Sequence, residues 1–212
     1  MSFLPSHNVL AAFTLASFVL IFTLGPDMTL FIGQTLQGGR ARGFLAMLGA
    51  VTGILIHSLV AALGLSALLA ASAAAFTLLK TAAALYLVWL AVNAIRHGSA
   101  FTLDRKPASS HSLVQVYLMG LGVNLLNPKI IMFFLTFLPQ FVSTSDPAAG
   151  SKLFFLGLYF IALAIPTCAG MILLAEQFTA RIRRAPRFMR IIDWIFAGLM
   201  GAFALRILIW RD

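Results

Sequence analysis

The stretch "GVNLLNPKIIMFFLTFLPQF", residues 122–141, is apolar enough for a membrane interior, yet Asn127, Pro128 and Lys129 stand side by side within it. Proline cannot donate to the hydrogen-bond ladder of a helix, and it pushes the preceding residue out of helical geometry. Asparagine is a favoured N-cap and proline a favoured first helical residue. The sequence therefore predicts that one helix stops before Asn127 and that a second one begins there, running to about Val142.

The composition of the whole chain is that of an integral membrane protein. Of its 212 residues 61% are hydrophobic and only 10% are charged, whereas soluble domains have about 25% charged residues. A helix needs about 20 apolar residues to span a bilayer, and continuous apolar runs favour helices over a β-barrel. We therefore predict an all-α, polytopic protein with six transmembrane helices, at residues 8–37, 43–68, 76–96, 113–142, 152–175 and 189–210.

The basic residues are concentrated in alternate loops. Ten of the fifteen follow the first, third and fifth runs: Arg40, Arg42, Arg96, Arg105, Lys106, Arg181, Arg183, Arg184, Arg187 and Arg190. The positive-inside rule then places these loops in the cytoplasm and both termini outside. The net charge of +9 is thus explained by topology and by contact with anionic membrane lipids rather than by nucleic acid.

The first and fourth runs resemble each other and differ from the rest. Each covers 30 residues, about 45 Å as one straight helix, and each is interrupted by a proline, Pro26 or Pro128, 102 positions apart. This pattern predicts two three-helix repeats, residues 1–106 and 107–212, with helices 1 and 4 broken. Because three spans is an odd number, the second repeat is inverted relative to the first. Such folds bind their substrate near the bilayer midplane, between the broken helices.

The two breaks place opposite charges in equivalent first turns, Asp27 after Gly25-Pro26 and Lys129 after Asn127-Pro128. A helix N-terminus favours Asp27 and disfavours Lys129, and a charge within the membrane is costly. Lys129 therefore needs an anion, which is either Asp27, in a permanent salt bridge between the halves, or the carboxylate of a substrate. In the second interpretation an amino-acid zwitterion places its carboxylate on Lys129 and its ammonium on Asp27.

Two further side chains are assigned to the same site. Gln34 lies up to two turns beyond Asp27, and His57 shares a helix face with Gly49 and Gly53, a small-residue packing stripe. His57 either hydrogen-bonds a neighbouring helix or relays protons. The predicted substrate-binding residues are Gly25, Pro26, Asp27, Gln34, His57, Asn124, Asn127, Pro128 and Lys129.

No cofactor or metal is predicted. The single cysteine, Cys168, excludes an internal disulfide and a cysteine-based metal cluster, and it is interpreted as a packing residue. An enzyme is disfavoured because the four histidines are scattered, with only His57 at membrane depth. The alternative to an amino-acid transporter is a cation or metal-ion exporter or channel, which would need more intramembrane carboxylates than Asp27. Six short spans also leave lipid-facing surface for a homodimer.

Several segments resemble the lysine-exporter (LysE/RhtB) family of bacterial amino-acid efflux permeases. They are "LGPDMTLFIGQTLQGGRARGFLAMLGAVTGILIH", "LLKTAAALYLVWLAVNAIR", "GLGVNLLNPKIIMFFLTFLPQFV" and "FAGLMGAFALRIL". The family's usual Pro-Gly-Pro-Asn at the first break is here Leu24-Gly25-Pro26-Asp27, so a carboxylate replaces an amide. The resemblance implies a multi-pass protein of the bacterial inner membrane that exports amino acids or close metabolites, driven by the proton gradient.

Overall fold

The computed structural model describes residues 5–23, 25–71, 111–142 and 146–184 as continuous segments, with single helical residues between 78 and 96 and between 187 and 205. All regular structure in this part of the chain is helical. The predicted third and sixth spans, at 76–96 and 189–210, lie largely outside the described residues, as does the predicted boundary between the two halves at residue 106.

The described segments contain seven α-helices, which we number in chain order. They are α1 (His7–Phe22), α2 (Pro26–Gly38), α3 (Arg40–Ala71), α4 (Leu113–Leu125), α5 (Pro128–Met132), α6 (Ala149–Leu173) and α7 (Ala175–Arg184). After Met132 the chain continues as a π-helical turn over Phe133–Phe137 and a 3₁₀ turn over Leu138–Phe141. The half-helix predicted to end near Val142 therefore has the expected length, but most of it is not regular α-helix.

Two of these helices are long and apolar enough to cross a membrane unaided, over Arg40–Gly64 in α3 and Ala149–Leu173 in α6. Two more spans result if each bent pair counts as one: α1 with α2, bent by 53°, and α4 with the segment Pro128–Phe141, bent by 49°. Within the described residues the chain thus has two to four candidate membrane spans. The bent pairs coincide with the first and fourth apolar runs of the sequence.

The two prolines break these helices in the way that the sequence predicts. Gly25 is the N-cap of α2 in an extended conformation, and Pro26 is its first residue. Asn127 is the N-cap of α5, and its side-chain Oδ1 accepts a hydrogen bond from the Lys129 backbone N–H at 3.0 Å. Proline fits the first helical position because an N–H there would have no partner within the helix.

Helix α3 packs against α2, α4 and α6, and glycines bring it close to α4. A Cβ at Gly49 would clash with the carbonyl oxygen of Tyr117 on α4, and one at Gly120 of α4 would clash with the carbonyl oxygen of Ala46. A Cβ at Gly53 would overlap the Asn124 side chain. The predicted packing stripe is confirmed, and it determines where Asn124 lies.

We expect Gly120→Ala to destabilise the fold and Gly122→Ala, on the same helix, to be nearly neutral. The alanine at 120 must push the α3 backbone away, a kind of overpacking that costs about 1–3 kcal/mol. A Cβ at Gly122 meets nothing within 4 Å among the described residues. Heating detergent-solubilised protein and measuring the monodisperse fraction by size exclusion gives both stabilities. Equal losses for the two variants would contradict the close contact between α3 and α4.

Asp146, which precedes the spanning helix α6, forms an ion pair with a lysine in the first turn of that helix. Asp146 accepts a hydrogen bond from the Ala148 backbone N–H at 2.9 Å and forms a salt bridge with Lys152 in the first turn of the helix. The hydrogen bond from Lys152, followed by that from Ala148, lowers the pKa of the Asp146 carboxyl. Substitutions of Asp146 and Lys152 therefore serve as controls for the corresponding substitutions of Asp27 and Lys129.

A cluster of phenylalanine rings fills the space between α1, α6 and the segment after α5. Phe13, Phe133, Phe134, Phe137 and Phe160 are at most 2% exposed, and the Phe133 and Phe160 ring centroids lie 4.9 Å apart. This aromatic cluster forms a tightly packed boundary beside the two helix breaks.

Candidate functional site

The two helix breaks lie against each other in the structure. Asp27, in the first turn of α2, accepts hydrogen bonds at Oδ2 from the side-chain amides of Asn127, at 2.7 Å, and Asn124, at 3.2 Å. Both asparagines are at most 2% exposed. The acidic residue of the first break is thus held by amide groups at the second break.

The reverse contact is made by Lys129, whose Nζ donates hydrogen bonds to the backbone carbonyl oxygens of Thr23, at 2.7 Å, and Leu20, at 3.1 Å. Helix α1 ends at Phe22, so these carbonyls belong to its last turn and the residue beyond. The last carbonyls of a helix lack partners within it, and its dipole favours a cation there. The cation of the second break is thus bound by the end of the helix at the first break.

Gly25 makes room for this contact. A Cβ on Gly25 would lie 3.0 Å from Lys129 Nζ and 3.3 Å from its Cε. Its backbone has a φ of −152° and a ψ of 177°, an extended conformation that any residue adopts. The need for glycine here is therefore one of space beside the ammonium group.

Asp27 and Lys129 do not form a salt bridge with each other in the structure. Asp27 and Lys129 do not approach within the 4 Å that defines an ion pair, since each is held by the groups already described. The expectation that Lys129 needs either Asp27 or a substrate carboxylate was wrong, because backbone carbonyls at a helix C-terminus bind the ammonium instead. The two breaks are joined instead by two crossed sets of hydrogen bonds.

Asp27 and Lys129 can each form one more hydrogen bond. Asp27 Oδ1 is buried and has no hydrogen-bond partner, and the same is true of Asn124 Oδ1. An ammonium has three N–H donors, and the two carbonyl oxygens use two of those on Lys129. Within the part of the chain that the structure describes, the site therefore presents one unused carboxylate oxygen, one unused amide oxygen and one unused ammonium N–H.

A small cavity of about 60 Å³, partly open to the surface, lies between the two breaks. Its polar lining consists of Asp27, Asn124 and Lys129. The rest of its wall comes from Leu20, Ile21, Met28, Phe31, Met47, Ala50, Val51, Ile54, Ile130, Phe160, Ala164 and Cys168. Small-molecule sites in proteins likewise have mostly apolar walls with a few precisely placed polar groups.

The structure brings three of the nine predicted site residues to the cavity wall, namely Asp27, Asn124 and Lys129. Gly25, Pro26, Asn127 and Pro128 form the breaks that position these three.

Gln34 and His57 do not line the cavity. Gln34 is buried and accepts a hydrogen bond from Arg42 Nε at 3.2 Å. The His57 ring stacks on Phe134 with centroids 5.8 Å apart, and its buried Nε2 has no hydrogen-bond partner.

The cavity walls on α3 and α6 were not predicted from the sequence. The wall on α3 has the spacing of one helix face, Met47, Ala50, Val51 and Ile54, and that on α6 has four-residue steps, Phe160, Ala164 and Cys168. The interpretation of Cys168 as a packing residue overlooked its place in the wall. Among the described residues no group of three or more His, Cys, Asp or Glu side chains is arranged to bind a metal ion.

These features define a class: a helical membrane protein in which two broken helices meet beside a small cavity that carries both charges. The chain belongs to the LysE family, since the family model described as "LysE type translocator" matches residues 18–211. This confirms the family resemblance seen in the sequence motifs, and the family is one of membrane translocators rather than enzymes.

Several curated relatives carry functional names. A homoserine/homoserine lactone efflux protein of Salmonella typhimurium is 29% identical over 188 residues, covering 89% of this chain and 90% of its own. A threonine efflux protein of Salmonella typhi is 30% identical over 202 residues, covering 91% and 94%. A leucine efflux protein of Enterobacter sp. is 24% identical over 201 residues, covering 92% of each. No solved structure matches the chain.

Proposed function

We propose that this protein exports amino acids or closely related metabolites from the cytoplasm, and that one substrate molecule binds in the cavity between the two helix breaks. The proposal is carried by one observation: a negatively and a positively charged side chain beside the same cavity each have a hydrogen-bonding group without a partner among the described residues. These groups are Asp27 Oδ1 and the third N–H of Lys129. The names of relatives that export homoserine, threonine and leucine support the substrate class.

An amino-acid zwitterion complements this site. Its ammonium group pairs with Asp27 Oδ1, its carboxylate with the free Lys129 N–H, and the Asn124 Oδ1 accepts a second ammonium hydrogen. Burying a charge without a partner is costly, so a ligand with both charges is preferred over one with a single charge. The apolar wall formed by residues such as Met47, Ile54 and Phe160 then contacts the substrate side chain.

The transport cycle follows from the predicted architecture. In this proposal, residues 1–106 and 107–212 form two inverted three-helix repeats with six spans in all, in the bacterial inner membrane and with both termini outside. The substrate site lies near the bilayer midplane, and the two halves rock about it to expose it to each side in turn. The proton gradient drives the export step.

Efflux from loaded cells tests the proposal. Cells with and without the protein are loaded with a panel of radiolabelled amino acids, including L-homoserine, L-threonine and L-leucine, and the label remaining inside is followed with time. We expect at least one amino acid to leave several-fold faster when the protein is present, and Asp27→Ala to remove the difference while Asp146→Ala retains it. If no member of the panel leaves faster, the proposed substrate class is wrong.

Cys168 offers a second measurement, of binding rather than transport. It is the single cysteine of the chain and lies in the cavity wall, so a methanethiosulfonate reagent that labels the protein reports on access to the cavity. A bound amino acid should slow this labelling about tenfold at a concentration about ten times its Kd. Cys168→Ser serves as the unlabelled control. Labelling at the same rate with and without every exported amino acid would place the binding site elsewhere.

A further inference from the structure

Asp27 is unusual in its surroundings. Among the described residues it is the one acidic side chain in the cavity wall, and its Oδ1 is buried without a partner there while its Oδ2 accepts hydrogen bonds from two amides. Among the other described acidic residues, Asp146 is paired with Lys152 and Glu176 is exposed on α7. A charged carboxylate oxygen that is buried without a partner is costly, and among the described residues no cation lies within ion-pair distance of Asp27.

Lys129 is not that partner. Its ammonium is bound by carbonyl oxygens of Thr23 and Leu20 at the C-terminal end of α1, where the helix dipole already favours a cation. The Lys129 ammonium therefore keeps its two carbonyl acceptors whether or not Asp27 is ionised. Asp27 is consequently able to gain and lose a proton without leaving Lys129 exposed in the membrane.

Among the described residues, the titratable groups that face Asp27 come from three helices. Lys129 belongs to α5, His57 to α3 and Cys168 to α6. Helix α4 contributes the neutral Asn124 and the junction before α5 contributes the neutral Asn127. Of these groups His57 is the other candidate for proton binding, because its Nε2 is buried and unpaired.

We infer that Asp27 Oδ1 binds a proton and the substrate ammonium group alternately, and that this competition couples export to proton entry. The inference rests on the proposed function. On the cytoplasmic side the incoming ammonium displaces the proton, so the O–H bond breaks, its electron pair stays on Oδ1, and the proton passes to water. On the outer side the substrate leaves and Oδ1 takes a proton from water before the site turns inward. Each cycle exchanges one zwitterion for one proton.

Substrate binding at different pH values tests this competition. Purified full-length protein in detergent is labelled at Cys168 with and without L-homoserine, L-threonine or L-leucine, and the ratio of the two rates at each pH gives the occupancy. Because both rates are measured at the same pH, ionisation of the thiol cancels. Below the pKa of the Asp27 carboxyl, we expect the wild-type Kd to rise about tenfold for each unit by which the pH falls. For Asp27→Asn binding is weaker, but its Kd changes by less than about twofold per pH unit.

Asp146→Asn is the matched control and should keep the wild-type pH dependence, because its carboxyl is outside the cavity. A pH-indicator dye in unbuffered solution adds a second readout, with about one proton released per probe bound by the wild type and none by Asp27→Asn. Equal pH dependence in the wild type and Asp27→Asn would assign the proton to another group, such as His57, and overturn the inference while the proposed function stands. If none of the three probes protects Cys168, substrate does not bind beside Asp27 and the inference is overturned, whereas export itself is judged by the efflux from loaded cells.

Discussion

Lys129→Met is expected to abolish export. Methionine nearly matches lysine in length but has no donor, so the carbonyl oxygens of Leu20 and Thr23 lose the hydrogen bonds that join α1 to α5. The substrate carboxylate loses its cation at the same time. Removing one member of a buried, charged hydrogen-bonded contact costs about 2–5 kcal/mol, so we expect export at least about 30-fold below wild type, since each 1.4 kcal/mol is about tenfold. Efflux from loaded cells, corrected for the amount of protein in the membrane, gives this ratio.

Lys152→Met is the matched control, because it removes a lysine whose partner, Asp146, lies outside the spanning segments. Its export should stay close to that of the wild type. To separate binding from folding, monodisperse Lys129→Met protein is labelled at Cys168, and we expect labelling without protection by substrate. Export by Lys129→Met within a few-fold of wild type would show that the ammonium neither joins the halves nor binds the substrate.

The helix breaks were predictable because they depend on local covalent chemistry. A proline removes one N–H and restricts the residue before it wherever it occurs, so Pro26 and Pro128 locate the ends of two helices from sequence alone. Asn127 as an N-cap follows from the same local reasoning, and the structure confirms its contact with the Lys129 backbone. Four of the six predicted apolar runs also correspond to described helices.

The partner of Lys129 was not predictable in the same way. Every residue has a carbonyl, and those of Leu20 and Thr23 are available only because α1 ends at Phe22 and its end faces α5. Gln34, in contrast, was predicted to belong to the site but does not line the cavity. Seven residues place it on the same helix face as Asp27 but about 10 Å further along the axis, where it contacts Arg42 instead.

The cavity wall was hidden for a different reason. In a soluble helix an apolar stripe marks the buried face, but a membrane helix is apolar on every side. Met47 and Ile54 line the cavity, whereas Leu48 and Leu55, the next residues along the same helix, are 48% and 36% exposed. Hydrophobicity does not distinguish these two faces, so the cavity became visible only when the helices were assembled.

Exchanging the two charges, by Asp27→Lys together with Lys129→Asp, is expected to abolish export and to loosen the contact between the broken helices. A direct salt bridge survives such an exchange, but these residues bind other groups. A lysine at position 27 would face the amide donors of Asn124 and Asn127, and an aspartate at position 129 would face the carbonyl oxygens of Leu20 and Thr23. None of the four observed hydrogen bonds would be kept, because the aspartate would meet only acceptors and the lysine would meet amides that have to turn their oxygens toward it.

A double-mutant cycle distinguishes a direct salt bridge between Asp27 and Lys129 from the crossed hydrogen bonds. Export and thermal stability are determined for each single variant and for the exchanged protein, and the interaction between the two sites is the departure from additivity. We expect the double variant to be no better than the worse single variant. The exchange Asp146→Lys with Lys152→Asp is the control, because that direct ion pair re-forms and most of the export should remain. Export by the Asp27 and Lys129 exchange above both single variants would mean that the two charges pair directly during the transport cycle, and the crossed hydrogen bonds would then describe only one of its states.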